Sequence, residues 1–304
     1  MYFTSVPDHT EPGFDEALYF SKFKKHNIII NAESSDSRCD DHVGCLSIKT
    51  ILSGEEWYGI DHHRLVIRPG QFLVLNDDQR YSCRINRGEK VRCLSVFFEK
   101  EFASLVFDDM LNSEETLLQY PSFNNGKAPE FFQTLNNITP DLQAQLSGLI
   151  ATIENSGYDA AMVDEYLVFL LRHLIRIHRS EMLRGDQINA VKATTRNEIY
   201  KRLCIARDIL HSSYTENLDL YKISNLACLS VPQLIRQFKA AFHCTPYQYL
   251  LHIRLGHAAR LLQYTDKPVQ EITWICGFEN TSAFCRAFKS AYGIQPMSFR
   301  KMKR

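Results

Sequence analysis

The chain has 304 residues, a length that predicts two domains, and its 45% hydrophobic and 12% aromatic content supports a sizeable core. No run approaches the roughly eighteen continuous apolar residues of a membrane span, and the start, MYFTSVPDHTEPGFDEALYF, lacks the basic and then apolar pattern of a secretory signal. Nine cysteines, an odd number without a CxxC pair, read as free thiols of a cytoplasmic protein and not as a disulfide framework.

Residues 1–44 are mixed and polar, with Ile28-Ile29-Ile30 as a first strand. From Cys45 the pattern turns to β. The runs CLSIKTIL, EEWYGI, RLVI, QFLVLN, YSCRI and VRCLSVFF are rich in β-branched and aromatic residues, and Ser53-Gly54, Pro69-Gly70, Asn76-Asp77-Asp78 and Arg87-Gly88 supply turns between them. Strands at this even spacing predict a small barrel or jelly roll. Residues 25–100 resemble a cupin-type sensor domain, most closely in Arg68-Pro69-Gly70-Gln71-Phe72-Leu73-Val74. Trp57, Tyr58, Phe72 and Tyr81 are the candidates for lining a ligand pocket.

A catalytic metal is not expected there. His62 and His63 are adjacent, so a strand would aim them at opposite faces. Tyr81 stands where cupin enzymes have a late histidine, and His42 lies in a polar stretch read as a loop. No Ser-His-Asp set or Gly-rich phosphate loop appears either, so neither an enzyme nor a cofactor is predicted.

Residues 102–135 have helical and irregular character, including the loop NSEETLLQYPSFNNGKAPE. Two helices follow. Asp141 to Glu154 carries Leu142, Leu146, Leu149, Ile150 and Ile153, and Asp159 to Arg179 carries Met162, Val163, Tyr166, Leu167, Leu170, Leu174 and Ile177 at helical spacing. The second stripe fits a face packed on the barrel or a dimer seam, and both readings stay open. Residues 181–195 are polar and read as a linker between a sensor and dimerisation domain, 1–180, and a second domain, 196–304.

The last hundred residues contain one pattern twice. QFKAAFHCTPYQY from Gln237 and AFKSAYGIQPMSF from Ala287 share Phe-Lys, Ala, an aromatic residue, Pro and a final aromatic at a separation of fifty residues. Backwards, Ser230 answers Asn280, Leu234 answers Phe284 and Arg236 answers Arg286. Each copy reads as helix, tight turn, helix: Asp219 and Ser230 are caps in the first, and Asn280 follows the turn glycine Gly277 in the second. Residues 196–304 hold 16 basic and 7 acidic residues, a net of +9, against 19 and 28 in residues 1–195. Zero overall charge thus hides two halves of opposite sign, and the basic half carries the paired motif, as a phosphate-binding module requires.

Residues 196–304 resemble the DNA-binding domain of AraC/XylS-type transcription regulators, matching in Ser230, Leu234, Phe238-Lys239, Pro246, Tyr249, Arg254, Ala258, Leu261-Leu262, Ile272, Gly277-Phe278, Phe284, Arg286, Phe288-Lys289, Gly293, Pro296 and Arg300. Ser224 and Thr273 stand where the family has Ala, and Cys228 and His243 where it has turn glycines. The resemblance implies DNA-facing positions Pro232, Ile235, Arg236 and Lys239 on the first reading helix and Thr281, Ser282, Ala283 and Arg286 on the second. A helix from Pro246 to Gln263 would join the two units, with Leu261 among the residues sealing them.

The fold class predicted is α+β: an N-terminal cupin-like β-barrel with flanking helices, then an all-α domain of seven helices with two helix-turn-helix motifs. The function predicted is a ligand-responsive, sequence-specific transcription regulator. Its expected partners are double-stranded DNA, an unknown small-molecule effector, a second copy in a homodimer and, for an activator, RNA polymerase. The alternative is a small-molecule-binding cupin with a helical interaction tail, which leaves the +9 charge without a role. A fused DNA-repair methyltransferase would need a Pro-Cys-His setting that the sequence lacks.

Overall fold

Alternation of side chains along strands sets the architecture of the first half of the chain. The computed structural model describes residues 1–5, 15–35, 38–60, 63–86, 88–111, 128–188, 190 and 192–303. It divides into two compact units, Met1–Leu183 and Arg184–Arg304. In the first, β1 (Tyr2–Phe3), β2 (Ile28–Ser34), β4 (Ser47–Ser53), β7 (Gln71–Leu75), β9 (Val91–Phe97) and β10 (Asn136–Asn137) form one sheet in the order β1-β2-β9-β4-β7-β10. The second sheet has the order β3-β8-β5-β6, from β3 (Arg38–Val43), β8 (Arg80–Arg84), β5 (Glu56–Ile60) and β6 (His63–Ile67). Pairing is antiparallel except between β1 and β2.

The six-stranded sheet is buried on both faces, which explains the unbroken Ile28-Ile29-Ile30 run. Ile28 and Ile30 join Tyr58, Ile60, Leu65 and Phe97 in an inter-sheet core. Ile29, with Ile48, Phe72, Val74 and Val96, faces a helical layer. After the short α1 (Glu16–Ser21), which precedes β2, that layer comprises α2 (Lys100–Leu111), α3 (Pro140–Ser156) and α4 (Ala160–Asp186). Thr139 caps α3 with Pro140 at its first turn, and Asp159 Oδ1 accepts from Met162 N at 2.9 Å at the start of α4.

Three expectations change. Among the described residues the strands are hydrogen-bonded as two facing sheets and not as a closed barrel. His42 lies on β3, not in a loop; the strand RCDDHV is polar because it forms an outer edge of the smaller sheet with most residues exposed. The polar segment read as a linker stays helical to Asp186, with Glu181, Gly185 and Ile188 buried. Most of the NSEETLLQYPSFNNGKAPE loop, residues 112–127, lies outside the described residues, as do His62 and the side chain of His63. The α4 stripe is spent inside the chain: Val163, Leu167, Leu170, Leu171 and Leu174 pack on the outer face of the large sheet. Among the described residues no helix is long and apolar enough to cross a membrane.

The second unit consists, among the described residues, of α5 (Ala193–Ser212), α6 (Leu220–Leu226), α7 (Val231–Phe242), α8 (Pro246–Tyr264), α9 (Val269–Ile275), α10 (Thr281–Tyr292) and α11 (Pro296–Lys303). Helix α8 starts in a full capping box, Thr245 with Gln248, and packs against α5, α7, α9, α10 and α11. Leu255, Ala258 and Leu262 enter a core with Ile272, Phe278, Phe284 and Phe288. Leu262 is fully buried, whereas Leu261, expected as the seal, is only partly covered. Leu262→Ala should therefore destabilise the protein by about 2–5 kcal/mol, and Leu261→Ala by clearly less. Chemical denaturation of both variants checks the order; equal losses would contradict this packing.

Candidate nucleic-acid interface

The second helix of each repeat, α7 and α10, is built by the same three devices. The first is a side-chain cap. Ser230 Oγ accepts from Gln233 N at 3.4 Å at the start of α7, and Asn280 Oδ1 accepts from Ala283 N at 2.8 Å at the start of α10. The second is a left-handed turn between the paired helices, at Cys228 (φ 51°) and Gly277 (φ 75°). Leu229 N then bonds back to Ser224 O at 2.9 Å, and Phe278 N to Thr273 O at 3.0 Å. The third is an aromatic trio below the helix. Phe238, Phe242 and Tyr249 have ring centroids 4.5–6.1 Å apart, and Phe288, Tyr292 and Phe299 4.5–5.3 Å apart. These six residues are the skeleton that repeats in the sequence.

The repeat is not uniform. Leu220–Leu226 answers Val269–Ile275 at a separation of 49, whereas Val231–Phe242 answers Thr281–Tyr292 at 50. Glu279 is the extra residue in the second turn, which a single fixed spacing hides.

The core side of α7 is Leu234, Gln237, Phe238 and Ala241, and that of α10 is Phe284 and Phe288. On the opposite faces Pro232, Arg236, Lys239, Ser282, Arg286 and Lys289 are exposed, while Ile235, Thr281 and Ala283 are half-buried. Arg236 and Arg286 hold the same position on the two helices.

A model of the helix-turn-helix domain matches residues 223–302. A probable transcriptional regulator, LumQ of Photobacterium leiognathi, is 27% identical over 155 residues, 51% of this chain and 58% of that protein. The transcriptional activator RhaS of Escherichia fergusonii is 26% identical over 159 residues, 52% of this chain and 54% of its own length. Among solved structures, an AraC-type regulator from Chromobacterium violaceum is 28% identical and covers 37% of this chain and 96% of that one, with a TM-score of 0.33. The DNA-binding domain of AdpA in complex with a target DNA is 27% identical and covers 35% and 92%, with a TM-score of 0.31. The chain spans little more than half the length of LumQ and RhaS. Over residues 223–302 the chain resembles the helix-turn-helix domains of AraC-type transcription regulators.

Within residues 196–304 the departures noted in the sequence are accommodated locally. The hydroxyls of buried Ser224 and Thr273 bond back to Tyr221 O at 2.9 Å and Val269 O at 2.8 Å within their own helices. His243 ends α7 in the left-handed region (φ 60°), as Gly293 ends α10 (φ 77°). Gly277 is held twice over: besides its positive φ, a Cβ there would stand 2.8 Å from Thr215 O and 2.9 Å from Thr215 Cα. The second turn is thus seated on the loop between α5 and α6. Arg254 of α8 holds the same loop, with Nε donating to Tyr214 O and Nη2 to Glu216 O, each at 2.7 Å. Its guanidinium lies 5.9 Å from the Phe278 ring centroid.

Of the four pocket candidates in the first unit, Tyr58 and Tyr81 line a cavity of about 90 Å³ between the sheets. Phe72 faces the helical layer instead, and Trp57 lies on the other face of β5 from Tyr58. A β-bulge between Cys39 and His42 brings His42 beside the same cavity, its ring 3.9 Å from that of Phe20 and 5.4 Å from that of Tyr81. Two charged residues that sequence reasoning missed, Lys49 and Glu56, also line it. Their signal was a charge at an inward position of an otherwise apolar strand. Among the described residues no group of three or more His, Cys, Asp or Glu could hold a metal.

Gly277 and His243, two left-handed positions, respond oppositely to substitution. Gly277→Ala should cost at least about 2 kcal/mol, from strain plus the clash with Thr215. His243→Gly should stabilise by about 1 kcal/mol, because it relieves an exposed left-handed residue. Thermal melts of the two variants check both signs.

Proposed function

We propose that this chain is a ligand-responsive, sequence-specific transcription regulator that inserts α7 and α10 into successive major-groove segments on one face of double-stranded DNA. The observation that carries the reading is the pair Arg236 and Arg286, exposed at equivalent positions on two capped helices. The net charge of +9 over residues 196–304 supplies the phosphate attraction such binding needs. Helix α8, 19 residues and so about 28 Å long, suits two readers addressing segments about one helical turn, or 34 Å, apart.

On this reading the DNA-facing set is Pro232, Ile235, Arg236 and Lys239 on α7 and Thr281, Ser282, Ala283 and Arg286 on α10. Arginine pairs with guanine, Ser and Thr with several bases, and Ala or Pro with a thymine methyl, while Lys239 serves the phosphates. The first unit acts as a cupin-like sensor in a cytoplasmic homodimer, with Tyr58 and Tyr81 at its effector cavity. The solvent face of α4, where Phe169 is 52% exposed, is the face free for a second copy. RNA polymerase is the further partner if the protein activates.

Arg236→Ala and Arg286→Ala should each weaken binding to a selected operator by about 1–3 kcal/mol, with a smaller loss on random DNA. Binding isotherms on both DNAs at one salt concentration decide it. Equal losses on both would reduce the two arginines to phosphate contacts.

A further inference from the structure

Cys39 and Cys83 stand directly opposite one another on β3, the edge strand of the smaller sheet, and its neighbour β8. Opposed residues of antiparallel strands have Cα atoms about 4.5–5.5 Å apart, inside the range of about 4.4–6.8 Å that a disulfide spans. Arg38 and Arg84 continue the same register, and the β-bulge comes only after Cys39, so the ladder at the pair is regular. Among the described residues no other two cysteines are strand partners. Both are free, half-buried thiols, and they hydrogen-bond to each other. Cys39 lies on the outer strand between exposed Arg38 and Asp40. Cys83 lies deeper in the sheet, opposite Tyr58 of β5. On that strand the buried Glu56 carboxylate accepts from the Cys83 thiol, and from Tyr58 Oη at 3.0 Å. The hydrogen bond with Cys39 and burial push the Cys83 thiol well up. Cys83 therefore keeps its proton until a base takes it, and Glu56 is the base in place.

We propose that Cys39 and Cys83 are a redox modification site, closed into a reversible disulfide by a small-molecule disulfide of the glutathione type. Cys39, on the outer strand, reacts first. Its thiol gives its proton to water, the thiolate attacks one sulfur of the small disulfide, and one small thiol leaves. Cys83 then passes its proton to the Glu56 carboxylate and attacks the Cys39 sulfur of the mixed disulfide. The second small thiol leaves as a thiolate and takes up a proton from water. The protein pair is oxidised by two electrons and the small disulfide is reduced to two thiols, so no further reactant is needed. The product staples the edge strand β3 to β8 on their inward face and closes the chain between residues 39 and 83 into a loop. That constraint falls mainly on the unfolded chain, because the two residues are already opposed in the folded one.

The test is equilibration of the reduced full chain with glutathione at rising ratios of oxidised to reduced form, followed by acid quenching, alkylation of free thiols in denaturant and mass spectrometry. Peptides containing Cys39 and Cys83 should become linked to each other, without retained glutathione, and should separate again when reduced glutathione is restored. The linked chain should melt above the reduced one. Cys83→Ser should hold glutathione on Cys39, whereas Cys39→Ser should leave Cys83 unmodified. Glu56→Gln should slow the second step, so that the Cys39–glutathione adduct accumulates before the link forms. Two thiols that stay alkylatable at every ratio, glutathione adducts that persist in the wild-type chain, or a link from either residue to another cysteine overturn the proposal, and none of these readouts depends on a variant folding. A linked chain that melts at or below the reduced one overturns it too, because the pair would then be strained by the bond. Closure in Glu56→Gln without adduct accumulation overturns the proton route through Glu56.

Discussion

The joint between the two helix-turn-helix units is the constraint on which the rest of the C-terminal domain depends. Two reading helices can act as one reader only if neither can rotate on its own. Three contacts prevent that. Helix α8 carries buried residues into the cores beneath both units, Arg254 holds the carbonyls of Tyr214 and Glu216, and Gly277 sits against the Thr215 backbone. The last two converge on one loop. A side chain at Gly277, or the loss of Arg254, would therefore disturb the spacing of α7 and α10 without touching a residue proposed to face DNA. Packed interfaces of this kind hold one arrangement and resist continuous deformation.

The N-terminal unit follows a different economy. Its large sheet is apolar on the helical side, where Ile29, Ile48, Phe72 and Val74 meet leucines of α3 and α4. On the inter-sheet side the apolar lining is interrupted by Lys49, Glu56 and the tyrosines around them. A sheet that needed only to fold would have continued the aliphatic pattern. The inter-sheet face thus carries buried charge, while the opposite face carries the fold.

Much of the C-terminal domain was legible because its signals are local. Ser230, Asn280 and Gly277 mark caps and a turn by residue type, and the repeated aromatics mark what lies beneath each helix. The shift in repeat spacing at Glu279 was not legible, since one residue inserted in a turn leaves both flanking patterns intact. The six main strands could be read from β-branched runs, but β3 could not, because a solvent-facing edge strand such as RCDDHV has no apolar face to alternate. The division into two sheets depends on pairing between distant strands, which periodicity does not encode. The same limit misdirected half of the pocket candidates. Aromatic content singled out Phe72 and Trp57, yet only strand register decides which face a residue takes, and register put Lys49 where no aromatic count would look.

The most direct test of a rigid two-helix reader is the affinity of the full chain for a selected operator and for the same operator with five base pairs inserted between the two contacted segments. Half a helical turn moves the second segment to the opposite face of the duplex, beyond the reach of a helix fixed by α8. Specific affinity should then fall to the level left when one reading helix is disabled, as in Arg286→Ala. An affinity unchanged by the insertion would mean that the units move independently or that only one reads DNA, and the joint would have no part in recognition.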